Sequence, residues 1–168
     1  MEKNNLIICL ILLIIIIGGM IYLKKEPEDT IDINLENAVS KAILEYNKSV
    51  HYNGELQTEG HKIFKVEELG KTVKAYCMFS YSEMRFENGT LTVVKGASKI
   101  MVLLIFEKDE EGNYQYISHQ EPVDGEGNAD SLQRIFPKDV LKMHNKYDTE
   151  ELDSQQKRYV EEYLKSAI

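Results

Sequence analysis

Thr72-Val73-Lys74-Ala75-Tyr76-Cys77-Met78-Phe79-Ser80-Tyr81 is the stretch that decides the fold. Val73, Ala75, Cys77, Phe79 and Tyr81 recur every second residue, the period at which side chains share one face of a β-strand. Around this stretch, from Gly60 to Tyr116, the chain is rich in Val, Ile, Tyr, Phe and Thr. It is punctuated by Gly70-Lys71, Asn88-Gly89, Gly96 and Gly112-Asn113. These turn signals divide it into four or five antiparallel strands, expected at about 60–68, 72–86, 90–95, 98–107 and 113–120.

Outward from this block the period changes. Before it, Leu35, Val39, Ala42, Ile43 and Tyr46 fall on one helical face, with Asn34 as a cap and Glu36 in the first turn. After it, a short helix is expected near 130–135 and a second opening at Pro137. Asp148-Thr149-Glu150-Glu151 reads as a capping box for a last helix, with Leu152, Tyr159, Val160, Tyr163 and Leu164 on one stripe. The strands come as a block with no βαβ alternation, so the expected class is α+β. The expected picture is a helix cradled by a curved sheet, as in cystatin-like folds, followed by closing helices.

The amino-terminal end is of another kind. Leu6 to Leu23 is an uncharged apolar run of 18 residues in a chain of 168. As a helix it would span about 27 Å, close to the hydrocarbon thickness of a bilayer. Such a run lacks the polar stripe of a core helix. It also lacks the Ala-x-Ala of a cleaved signal peptide, because Gly18 and Gly19 are followed by Met20, Ile21 and Tyr22. Lipidation at Cys9 is disfavoured by the bulky Ile8 before it. Residues 1–25 therefore read as an uncleaved transmembrane signal anchor, 26–34 as an acidic juxtamembrane linker, and 35–168 as a single extracytoplasmic domain. Lys3 on one side of the run and Lys24 and Lys25 on the other leave the positive-inside rule nearly tied. The acidic linker Glu26-Pro27-Glu28-Asp29 favours the outer side.

Charge narrows the partners. Of 20 basic and 28 acidic residues, setting aside Lys3, Lys24, Lys25 and Glu2 leaves 17 against 27, or −10 for residues 26–168. A surface so acidic argues against a face that binds nucleic acid or an anionic membrane, since both need clustered Lys and Arg, but accepts cationic partners. Cys9 and Cys77 lie too far apart in kind and place to pair, and Cys77 reads as a small buried residue.

Site signals are sparse. His51, His61, His119 and His144 show no metal-ligand spacing, and no Gly-x-Ser-x-Gly, phosphate loop or Ser-x-x-Lys occurs. Asp124-Gly125-Glu126-Gly127-Asn128-Ala129-Asp130 alternates oxygen ligands like a calcium loop. Ala129 and Ile135, however, stand where that loop needs its glycine and its bidentate glutamate. Glu107, Asp109, Glu110 and Glu111 form an acidic hairpin end, and Asn88-Gly89-Thr90 reads as a hairpin turn before a glycosylation sequon. The tyrosines Tyr76, Tyr81, Tyr114, Tyr116, Tyr159 and Tyr163 read as rings that pack while their hydroxyls stay wet, with a tyrosine-lined groove as the lesser alternative. No catalytic, cofactor-binding or metal-binding residue is assigned, and the chain is read as a non-enzyme that folds without metal, cofactor or disulfide. His61→Ala and His119→Ala are expected to cost far less stability than Phe79→Ala.

Glu59-Gly60-His61, Lys74-Ala75-Tyr76, Phe86-Glu87-Asn88-Gly89, Glu121-Pro122-Val123-Asp124-Gly125, Ile135-Phe136-Pro137-Lys138 and Tyr159-Val160-Glu161-Glu162-Tyr163-Leu164-Lys165 occur in this order. Together, over roughly residues 36–168, they resemble the carboxy-terminal extracytoplasmic region of bla-regulator-type membrane metallopeptidases, antirepressor-family sensors of Gram-positive bacteria. The resemblance implies a domain outside the membrane. It transfers no catalytic residue, because the His-Glu-x-x-His and the multiple membrane helices of those proteins are missing, as are the serine acylation motifs of a penicillin sensor. The expectation is a sensing or protein- or peptide-binding accessory module held in the cell membrane through residues 6–23. Its rivals are an inhibitor or immunity-type protein, and an enzyme in which His61 or His119 meets Asp or Glu.

The mature protein is expected to keep residues 1–25 and to fractionate with membranes, with residues 30–168 removed by protease added to wall-stripped intact cells. Recovery in the medium with an amino terminus beyond Met20, or full protection until lysis, would overturn this topology.

Overall fold

The computed structural model describes residues 31–48 and 54–166; the expected anchor over 6–23, with Cys9, and His51 lie outside the described residues. Among the described residues no helix is long and apolar enough to cross a membrane. Helix α1 (Ile33–Asn47) is followed by strands β1 (Leu56–Leu69), β2 (Thr72–Glu87), β3 (Thr90–Lys108) and β4 (Tyr114–Gln120). Helices α2 (Asn128–Ile135), α3 (Lys138–His144) and α4 (Glu150–Ser166) close the chain. The strands form one antiparallel meander in the order β1-β2-β3-β4, so the α+β class is as expected.

Two tight turns set the registers. Gly70 at φ 63 lies between β1 and β2, and Asn88 and Gly89 at φ 51 and 83 join β2 to β3. Positive φ at both central residues matches the right-handed twist of the hairpin they connect, which is why Asn-Gly is favoured there. In β2, Phe79 pairs with His61 and Ile100, and Cys77 with Ile63 and Val102. A register shift between Ile63 and Lys65 accommodates Phe64, which packs on the opposite side of the sheet.

Burial in β2 does not alternate. From Ala75 to Tyr81 every residue is buried, because the sheet is covered twice. On one face α1 brings Leu35, Val39, Ala42 and Ile43 into the core, and Tyr46 meets Phe79 edge-on with ring centroids 5.8 Å apart. On the other, Tyr76, Met78, Met101 and Leu103 pack with Phe136, Val140 and Leu152 from the carboxy-terminal segment. The helix-on-sheet picture thus describes one face, and α2, α3 and α4 supply a second layer.

Several boundaries differ from expectation. The strand expected from residue 60 starts at Leu56, and the two strands expected at 90–95 and 98–107 are one, Thr90–Lys108. Gly96 does not break it, because the chain absorbs irregularity through register shifts near Tyr81 and Met84 and through Lys99 at φ 59. Helix α1 begins at Ile33, which puts Asn34 inside the first turn rather than at the cap. At the start of α4 the Asp148 carboxylate accepts the Glu150 N–H at 3.0 Å, so the aspartate does the capping.

Helix α4 lies hard against the outer strand β1. A Cβ on Gly60 would collide with the Leu152 carbonyl and stand 3.1 Å from the Gln155 Cβ. Only glycine allows that approach. Gln155 then treats the strand edge as a further strand would, accepting the His61 N–H at 2.7 Å and donating to the His61 carbonyl at 3.1 Å.

Phe79→Ala is expected to cost about 3–5 kcal/mol in denaturant unfolding, since it empties the centre of the α1 face. Gly60→Ala should be comparably severe although it adds only a methyl group, because the obstacle is backbone. A Gly60→Ala protein as stable as the parent would show that α4 does not hold this position.

Candidate functional site

The strongest concentration of charge inside the fold lies where α1, β1 and α4 meet. Glu59 and His61, two apart on β1, share the face turned to α1, as the strand period requires. His61 is bonded through Nδ1 to the Glu59 Oε2 at 2.9 Å and through Nε2 to the Glu36 Oε2 at 2.7 Å. From α4, the Tyr159 hydroxyl donates to the Glu59 Oε1 at 3.2 Å and accepts from the Ser40 hydroxyl at 3.1 Å. The His61 and Glu59 side chains are 9% and 3% exposed, against 37% for Glu36.

Burial alone would push the His61 pKa down. The bonds to Glu36 and Glu59 outweigh it and raise the value from 6.5 to about 9. Burial likewise works against the Glu59 carboxylate, but its bond to His61, the attraction of that cation, and Ser40 and Tyr159 bring its pKa below the usual 4.5. The histidine is therefore a cation at neutral pH with both N–H groups donated. A general base needs a free lone pair and a value near 7, and His61 has neither. The cluster is a tie holding two helices to one strand. The expectation that His61→Ala would be mild is accordingly revised, since the change strips a buried Glu59 of its counter-charge.

His119 does not join this cluster. It lies on exposed β4, stacked on Tyr46 at 4.2 Å and bonded through Nδ1 to the Tyr116 hydroxyl at 2.6 Å. The Tyr46 hydroxyl donates to Glu121 at 3.1 Å, and burial and then the Glu121 charge raise its pKa. His144 packs edge-on near Phe64 at 6.3 Å.

The remaining candidates resolve into structure. In the 124–130 loop, Gly125 and Gly127 take φ 73 and 90, while Asn128 donates to the Val123 carbonyl at 2.8 Å and so ties the loop to the start of α2. No group of His, Cys, Asp or Glu among the described residues is placed to hold a metal ion. Cys77 is fully buried, and burial pushes its thiol pKa up. In the acidic hairpin end, Asp109 Oδ1 accepts the N–H groups of Glu111 and Asn113 at 2.9 and 2.8 Å. Beside it, a groove of about 430 Å³ is lined by Lys71, Glu107, Glu110, Glu111 and Tyr114. A second, of about 390 Å³ between α1 and β4, is lined by Ala38, Lys41, Ala42, Glu45 and Tyr116, and the two grooves share Tyr114 and Gln115.

Sequence reasoning singled out His61 but not its bonds to Glu36 and Glu59, nor the bond of Tyr159 to Glu59. The i, i+2 spacing of Glu59 and His61 was a visible signal. Glu36, 25 positions from His61, and Tyr159, 100 positions from the Glu59 it bonds, depend on the packing of two helices. In comparisons with protein-family models, with curated proteins and with solved structures, no match to this chain was found.

Because the His61 pKa is raised on folding, its contribution is full below about 6.5 and is lost as pH climbs through about 9. The Glu59 pKa is lowered, so its contribution is present above 4.5 and fades as pH falls through the folded value. His61→Gln should therefore destabilise by roughly 3 kcal/mol near pH 6, and the gap from the parent protein should narrow between pH 6.5 and 9. A gap independent of pH in thermal melts would remove the charge from this account.

Proposed function

We propose that this protein is a single-pass, membrane-anchored, non-catalytic module outside the cell, which binds a protein or peptide partner at the envelope. In this reading it is a sensing or accessory domain related to bla-regulator-type proteins. The anchor over residues 6–23 precedes α1, and α1 on the sheet forms the cystatin-like half of the domain.

The observation that carries the binding role is the far end of the β2–β3 hairpin. Met84 pairs with Val93 and Phe86 with Leu91, so these four side chains share one face of the arm at the end of the β2–β3 hairpin, where β1 reaches only as far as Met84. Phe86 and Val93 are 47% and 54% exposed. Strand β4 pairs with β3 only over Leu103–Lys108, which leaves the outer edge of β3 from Thr90 to Val102 without a strand partner among the described residues. Exposed apolar side chains beside an open strand edge are what partner binding by strand addition uses. Lys95 and Lys99 on the same strand restrain uncontrolled edge pairing. An enzyme reading draws no support from the buried cluster of His61 with Glu36 and Glu59, whose histidine is committed at both nitrogens.

A photocrosslinking residue placed at Phe86 or Val93 in the full-length protein should capture a discrete partner in intact cells. The same residue at the exposed Lys157 on α4 should not. Equal labelling from all three positions, or none from the arm, would count against the arm as the binding surface.

A further inference from the structure

The tip of the β2–β3 hairpin carries a chemical site of its own. We infer that Asn88 is a site of self-modification, at which the Asn88-Gly89 turn closes to a cyclic imide, releases ammonia and reopens with water mainly as isoaspartate. The modification stands on the turn alone. Its effect on binding rests on the partner-binding reading of the arm.

Ring closure needs a carboxamide free to swing, a following main-chain nitrogen that is neither shielded nor bonded, and a backbone able to bring the two together. Asn88 is exposed, and its carboxamide is held by no hydrogen bond among the described residues. Three other asparagines are tethered through Nδ2: Asn47 to the Ile43 carbonyl at 2.9 Å, Asn113 to the Asp109 Oδ2 at 2.9 Å and Asn128 to the Val123 carbonyl at 2.8 Å. Each of these also precedes a residue with a Cβ, namely Lys48, Tyr114 and Ala129. Gly89 has none, and a Cβ placed there would meet nothing within 4 Å, so the approach to its nitrogen is open. A two-residue hairpin loop makes its main-chain bond between the residues that flank it, here Glu87 and Thr90. The Gly89 N–H is left over and joins no other main-chain bond.

Backbone freedom comes from the position of the turn. Strand β1 pairs with β2 only as far as Met84, and β4 pairs with β3 only from Leu103 onward. The residues from Arg85 to Thr92 therefore have strand pairing only across their own turn. Opening of such a tip costs little free energy. It lets Asn88 leave its φ of 51 and carry its Cγ toward the Gly89 nitrogen.

In the first step the Gly89 nitrogen gives its proton to solvent and attacks the Asn88 Cγ. A Cγ–N bond forms, the Cγ–Nδ2 bond breaks, and ammonia departs with a proton from solvent. Water then opens the imide at either carbonyl. Opening at Cγ restores the normal chain as aspartate. Opening at the Asn88 main-chain carbonyl leaves Gly89 attached through Cγ, so the main chain gains a methylene and the residue a free α-carboxylate. Water is the only co-reactant, and nothing is oxidised or reduced. Aspartate suits the turn as asparagine does, since both accept positive φ before glycine. Isoaspartate does not, because the added methylene lengthens a loop whose two residues set the Glu87–Thr90 and Phe86–Leu91 registers. The apolar face through Phe86, Leu91 and Val93 then loses its alignment as the protein ages.

The test is peptide mass mapping of the purified full-length chain, held at mildly alkaline pH in water enriched in heavy oxygen so that each imide that reopens takes up label. Asn88 should convert at least about tenfold faster than Asn47, Asn113 and Asn128, since of these only Asn88 precedes a residue without a Cβ. Asn53-Gly54, the other such pair in the sequence, falls in a separate peptide and stays out of the comparison. An isoaspartate-specific methyltransferase should label the aged chain at residue 88. Gly89→Ala should slow the conversion by at least about tenfold, and Asn88→Gln, whose ring would need a further carbon, should remove the label. A rate at Asn88 no greater than at the tethered asparagines would overturn the site. Conversion in denaturant but not in the folded chain would overturn it as well, because the turn would then be shielding the amide. Aspartate without isoaspartate would overturn the assigned product. Crosslinking at Phe86 or Val93 keeps the two readings apart: no capture by fresh protein sinks the arm and leaves the mass record standing, whereas an unconverted Asn88 sinks the modification whatever the arm captures.

Discussion

A strand that is apolar on both faces has to be covered on both, and that demand organises this protein. From Ala75 to Tyr81 no residue of β2 reaches solvent appreciably. One cover comes from the residues before the sheet and the other from those after it. A meander cannot supply either cover from its own turns, which are short. The two ends of the domain must therefore be carried to opposite sides of the sheet, and they meet only around the free edge of β1. Glycine at position 60 sets how closely α4 can come, and Gln155 occupies the edge that a fifth strand would otherwise take.

The charged residues at that meeting point act mainly through what would happen without them. A buried ion pair adds little net stability compared with apolar side chains of similar volume, because desolvation offsets the attraction. Its asymmetry is large, since taking away one member leaves the other charged and dry. Glu36 comes from α1, Glu59 and His61 from β1, and Tyr159 from α4. A shift of either helix by one turn would strand at least one of these groups. Apolar contacts tolerate such slips far better, so the polar cluster fixes the register that the greasy faces leave loose.

Legibility in the sequence followed the reach of the interactions. The strand through Val73, Ala75, Cys77, Phe79 and Tyr81, the Asn88-Gly89 turn and the helical face through Leu35, Val39 and Ile43 are local patterns, and each appears in the structure as read, although burial in the strand does not alternate. Gly96 misled, because a glycine in a strand marks either an end or an irregularity, and the neighbouring pairings decided for the latter. The second helical layer was read as closing helices without a place. Met78 and Met101 are apolar whichever way they face, and the period of a strand buried on both sides carries no direction. His61 was visible as a titratable residue on a strand. Its role was not, because that depends on Glu36 and Tyr159, which only the assembled helices bring near.

The hydrogen bond between Ser40 and Tyr159 joins residues 119 positions apart, whereas each strand of the sheet pairs with its sequence neighbour. Hairpins of that kind close rapidly and while a chain is still being made; contacts spanning nearly the whole domain carry the largest loop-closure cost and form last. During synthesis α1 emerges first and waits for a partner encoded at the other end. Until α4 arrives, β1 presents a bare edge and the sheet a bare apolar face, the condition in which nascent chains associate wrongly. Removing the turns of α4 that carry Leu152, Gln155 and Tyr159 would thus leave the amino-terminal half made but unable to finish.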